Sequence, residues 1–130
     1  MATYTFGRTF ALGLLGLALL AGCGQDVPQP IDPLEAGRQL DAALAAWKAA
    51  EPYEGLAARN PSVVFNEPLW QSGTALLSFV REPVEIEGRQ GRCAAKLSLR
   101  EKNGKQYERR IVYTIDTVPR IVIVREDLGL

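Results

Sequence analysis

From Phe10 to Ala21 the chain is continuously apolar, and the pattern breaks at Cys23 into "GQDVPQPIDP", which is polar and rich in proline. The apolar run is 12 residues long, well short of the roughly 18 to 20 that a helix needs to cross a hydrocarbon core. The proline-rich stretch has hardly any core former and favours an extended chain, so some eight residues of it reach on the order of 25 Å. Periodicity begins at Asp32. Its carboxylate can cap free amides, Pro33 suits the first helical position, and Glu35 completes an Asp-x-x-Glu capping box. Leu40, Leu44 and Trp47 then recur at i, i+4 and i+7 with Ala43 and Ala46 beside them, Lys48 suits a last turn, and Glu51-Pro52 ends it. This predicts a helix from Pro33 to about Ala50 with one apolar stripe.

After residue 60 the period changes from helical to alternating. "SVVF" is a short strand candidate, and Thr74 to Val80 is a longer one closed by Glu82-Pro83. In "RCAAKLSLR", Cys93, Ala95, Leu97 and Leu99 point one way and Arg92, Lys96, Ser98 and Arg100 the other. "YERRIVYTID" sets Tyr107, Ile111, Tyr113 and Ile115 on one face, and "RIVIV" is apolar on both, which predicts cover on both sides. Asn103-Gly104 joins two of these strands. A two-residue loop would pair Leu97 with Arg110 and mix the faces. A three-residue loop, Lys102-Asn103-Gly104 with Gly104 left-handed, pairs Leu99 with Tyr107, Ala95 with Ile111 and Cys93 with Tyr113, so face consistency selects it.

One helix followed by about four antiparallel strands is an α+β layer pair, a curved sheet packed on a helix. That element order resembles cystatin-like and NTF2-like folds. The chain divides into residues 1–22, residues 23–31, and one domain over 32–130.

Arg8, the apolar run and the small residues that follow have the layout of a secretory signal peptide. Leu20-Ala21-Gly22-Cys23 resembles the bacterial lipobox at all four positions. The resemblance implies cleavage between Gly22 and Cys23, a diacylglycerol on the Cys23 thiol, an acyl chain on its new amino terminus, and no other cofactor. It places the protein in the bacterial cell envelope, with residues 24–31 as tether. Gly24 stands where an aspartate would favour inner-membrane retention, so in a two-membrane host the expected address is the periplasmic face of the outer membrane.

Lipidation would consume Cys23 and leave Cys93 alone, so the domain has no internal disulfide and Cys93 reads as a small core residue. Charge changes the picture only locally. The chain holds 15 basic and 15 acidic residues, and losing residues 1–22 removes only Arg8, a balance that argues against a nucleic-acid partner. Between Asp26 and Ala58 acids dominate; between Arg89 and Arg110 bases do. In the chosen register Lys96 stands opposite Arg110, with Arg92 and Arg100 on the same side, a candidate patch for anionic lipid or an acidic envelope partner.

The signals for catalysis are thin. The chain contains no histidine, which removes the commonest general base and metal ligand, and it has no nucleophile elbow, paired-cysteine spacing or phosphate loop. Glu85 and Glu87 read as a solvated turn beside Gly88. Tyr113 reads as core and Asp116 as a strand end, although the two could serve a histidine-free site in an NTF2-like pocket. Pro61 to Trp70, with Phe65, Leu69 and Trp70, reads as a loop closing the core, or as aromatics offered to a partner or glycan. The expectation is a lipid-anchored, non-catalytic binding module of the envelope. A subunit of a larger envelope assembly and a histidine-free enzyme are the alternatives.

Overall fold

A computed structural model describes residues 31–128. Helix α1 spans Pro33–Lys48 and starts as the capping chemistry requires, with the Asp32 carboxylate accepting from the Leu34 amide at 2.9 Å and Pro33 in the first turn. It stops two residues short of Ala50. The Ala50 and Glu51 amides bond back to the Trp47 and Ala46 carbonyls, and Ala50 turns left-handed at φ 60°.

Six strands follow: β1 Val63–Asn66, β2 Ala75–Arg81, β3 Glu85–Glu87, β4 Gln90–Arg100, β5 Gln106–Asp116 and β6 Ile121–Arg125. A one-turn helix α2, Pro68–Gln71, separates β1 from β2, and short 3-10 turns cover Tyr53–Leu56 and Glu126–Leu128. The strands form one curled sheet in the order β1-β6-β5-β4-β2, with β3 pairing β4 beyond the end of β2.

The α+β class therefore holds, but the expected antiparallel sheet of about four strands is corrected to a mixed sheet of six. β1 lies parallel to β6, Val63 beside Ile121 and Phe65 beside Ile123. The count rises because the "SVVF" candidate forms the parallel edge β1, followed by α2, and because Glu85–Glu87, expected as a solvated turn, forms β3 against β4. The β4–β5 hairpin keeps the face-consistent register: Leu99 faces Tyr107, Ala95 faces Ile111 and Cys93 faces Tyr113, with Gly104 at φ 90°.

The core lies between α1 and one sheet face. Leu40, Leu44 and Trp47 pack against Leu97, Leu99, Ile111, Ile115 and Ile123 in one continuous cluster of buried side chains. Gly91 lets α1 sit close: a Cβ there would stand 3.3 Å from Ala36 Cβ and 3.0 Å from Val84 Cγ1. The opposite face behaves differently from expectation. Val122 and Val124 are only half-buried and Val64 is 45% exposed, because the sheet carries its helix on the other side.

Candidate functional site

A hollow opens where α1 ends. The sharp exit through Ala50 and Pro52 turns the chain across the start of β2 and leaves a groove of about 570 Å³ over Tyr53, Trp70, Thr74 and Leu76, with Lys48, Glu51, Glu54 and Arg100 among its charged walls. Its floor is aromatic. Trp47 and Trp70 stack with centroids 6.0 Å apart and planes 11° from parallel, and Tyr53 meets Trp70 edge-on at 5.3 Å. These rings are fixed by polar contacts as well as packing. Trp47 Nε1 donates to the Thr74 carbonyl at 2.8 Å, and the Tyr53 hydroxyl donates to the Phe65 carbonyl. The stacked indoles are themselves only 2% and 8% exposed, so what the groove offers to solvent is the partly exposed Tyr53 ring with charges of both signs around it.

A second polar constellation sits beneath the sheet. The Glu67 side chain is fully buried and accepts from the Tyr113 hydroxyl at 2.7 Å, from Arg125 Nη1 at 3.1 Å and from the Leu69 amide at 3.0 Å, which also caps α2. Arg125, itself 5% exposed, holds Asp127 at 2.7 Å on its other side. Burial, reinforced by Glu67, pushes the Tyr113 phenol far above its ordinary range, and the Arg125 hydrogen bond holds the Asp127 carboxyl below its own. Every donor and acceptor here is satisfied within the protein, as is each buried polar side-chain atom among the described residues. The cluster is closed to ligand and acts as a polar clasp joining α2, β5 and β6.

The clasp was invisible to the strand pattern for Glu67, which lay in a supposed loop. Arg125 was findable: alternation along β6 puts Ile121, Ile123 and Arg125 on one face, so an inward arginine needed a buried carboxylate. Tyr113 is core, as its parity implied. Asp116 closes β5 and accepts from Gln90 at 3.2 Å, whereas Tyr113 is fully buried and donates to Glu67.

The basic hairpin has the predicted geometry. Lys96 stands opposite Arg110, yet carboxylates intervene: Lys96 pairs with Glu108 at 3.3 Å, Arg110 with Glu82 at 3.4 Å, and Arg92 with Glu126 at 2.8 Å and more distantly with Glu87. Arg100 lines the aromatic groove instead. The face is charge-compensated, so an added anion would compete with acids already present. Glu85 and Glu87 form β3, with Gly88 left-handed at φ 62° in the turn that follows. Cys93 is buried, its thiol directed at the Glu82 carbonyl, and burial pushes its pKa up. Gly22 and Cys23 lie outside the described residues. Among the described residues no three potential metal ligands cluster. No family model, curated protein or solved structure matches the chain.

Proposed function

We propose that the protein is a lipid-anchored domain of the bacterial cell envelope that works by binding rather than by catalysis. The observation that carries this reading is the apolar run ending in Leu20-Ala21-Gly22-Cys23, followed by a proline-rich tether and a helix that starts at Pro33. The groove at the far end of α1 supports binding, since it sets the partly exposed Tyr53 among charges of both signs. Metabolic labelling with radioactive palmitate tests the anchor: label should enter the wild-type chain and Cys93→Ser and be lost in Cys23→Ser. Equal labelling of wild type and Cys23→Ser removes the reading.

A second reading, a subunit of a larger envelope assembly, draws on the sheet face away from α1, where Val64 is 45% exposed beside Val122 and Val124. It requires a complex larger than one chain after gentle detergent extraction. A purely monomeric species would exclude it.

A further inference from the structure

The domain has two ends, and three of the five large exposed apolar side chains among the described residues lie at one of them, while Val80, 73% exposed, stands part-way along β2 opposite Lys96 and Val64 on the outer sheet face. At one end the first turn of α1, the start of β4 and the finish of β5 converge: a Cβ on Gly91 would lie 3.3 Å from Ala36 Cβ and 3.7 Å from the Ile115 carbonyl. Leu34 precedes Ala36 by two residues and is 72% exposed. Val118, in the β5–β6 turn just past Asp116, is 75% exposed, and Ile86, the partner of Gly91 on β3, is 41% exposed. Beside Leu34 a shallow hollow is lined by Pro33, Phe79, Pro83 and Val84, together with the Asp41–Arg81 ion pair. The other end holds the hairpin loop Lys102-Asn103-Gly104 and the aromatic groove, reached by α1 through the Trp47 bond to Thr74. β4 runs 11 residues between the two ends, about 36 Å of extended chain.

We infer that the end carrying Leu34, Ile86 and Val118 rests on the bilayer at the boundary between headgroups and acyl chains, which points the aromatic groove away from the membrane. The inference rests on the lipid-anchor reading. With Cys23 in the bilayer, the segment from residue 24 to Ile31 reaches on the order of 25 Å when extended, so the α1 N-terminus is the part of the domain that cannot leave the membrane vicinity. The lipid supplies the attachment; the aliphatic side chains supply the orientation, because tethering holds them at high effective concentration near the surface. Charge does not select this contact. Arg89 and Arg120 are exposed at this end, but so are Asp32, Glu85 and Glu87, so the contact persists on zwitterionic lipid and at high salt.

The test uses the full lipidated chain in vesicles, with a polarity-sensitive fluorophore on one introduced cysteine at a time: Leu34→Cys, Val118→Cys, or Lys102→Cys at the far end. Cys93 is 1% exposed and does not compete for label. The expected result is a blue shift at Leu34 and Val118, with quenching by doxyl-labelled lipid, and neither effect at Lys102, in phosphatidylcholine as well as in vesicles containing phosphatidylglycerol. A second probe, Ile86→Cys, should lose its quenching when Leu34→Glu and Val118→Glu are added, while palmitate labelling of Cys23 is unchanged. Labelled, membrane-bound protein with no quenching at Leu34 or Val118 overturns the inference and leaves the anchor standing. So does equal quenching at all three sites, or quenching confined to anionic vesicles. Failure of Cys23 to take palmitate removes anchor and inference together.

Discussion

Glu67 shows what one side chain can decide. A carboxylate with no exposed surface is tolerable only because Tyr113, Arg125 and the Leu69 amide all donate to it. Removing it with Glu67→Ala leaves the Arg125 guanidinium buried and half-paired, and the expected loss of unfolding free energy is about 3–5 kcal/mol. Tyr113→Phe removes one donor while keeping the ring against Phe65, and should cost about 1–3 kcal/mol. Lys96→Ala, on the solvated face, should change stability by about 0.5 kcal/mol or less. Urea unfolding of the three variants checks the order, and a Lys96→Ala loss as large as that of Glu67→Ala would contradict it. The sequence disclosed only part of this. The inward position of Tyr113 followed from alternation, whereas its partner lay beyond a proline in a segment with no period to read.

At the scale of elements, legibility tracked how local the pairing is. The α1 start, its buried stripe and the β4–β5 register all rest on residues near in sequence, where caps and face consistency leave one solution. The parallel contact of β1 with β6 joins distant segments, and nothing in "SVVF" specifies its partner. The groove was equally hidden, since it depends on how α1 stops. Ala50 holds φ 60°, a left-handed conformation that costs an L-residue roughly 1–2 kcal/mol and glycine almost nothing. Ala50→Gly should therefore raise stability, by about 0.5–1 kcal/mol after the extra freedom of glycine in the unfolded chain is set against the relief. Gly104→Ala, at φ 90°, should do the reverse. Thermal unfolding of the pair distinguishes the signs, and a lower midpoint for Ala50→Gly would show that the turn is not strained.

For the whole molecule, charge is balanced in sum and mostly paired in space, and this sets how stability depends on pH. Three carboxyls are held below their ordinary values: Glu35 by Gln39 and Arg38, Glu126 by Arg92, and Asp127 by Arg125. A lowered native pKa means that the unfolded chain takes up the proton first. Their contribution is complete above the ordinary carboxyl values of 4.5 and 3.8 and disappears as pH falls through the native ones. At the alkaline side the sign reverses, because burial raises Cys93, Tyr53 and Tyr113. These groups stay protonated in the fold while the unfolded chain ionises from the ordinary 9.0 of the thiol and 10.0 of the phenols upward, so unfolding is favoured there. The urea midpoint should thus be flat between about pH 4.5 and 9 and fall on both sides. The two limbs separate by mutation: Tyr113→Phe removes its buried phenol and should flatten the alkaline limb, whereas Arg92→Gln frees Glu126 and should flatten the acid limb. Salt should weaken the acid limb more, because Glu126 and Asp127 are exposed and Tyr113 is shut in the core. A midpoint that rises below pH 4.5, or an alkaline limb untouched by Tyr113→Phe, would show that these groups do not govern the pH profile.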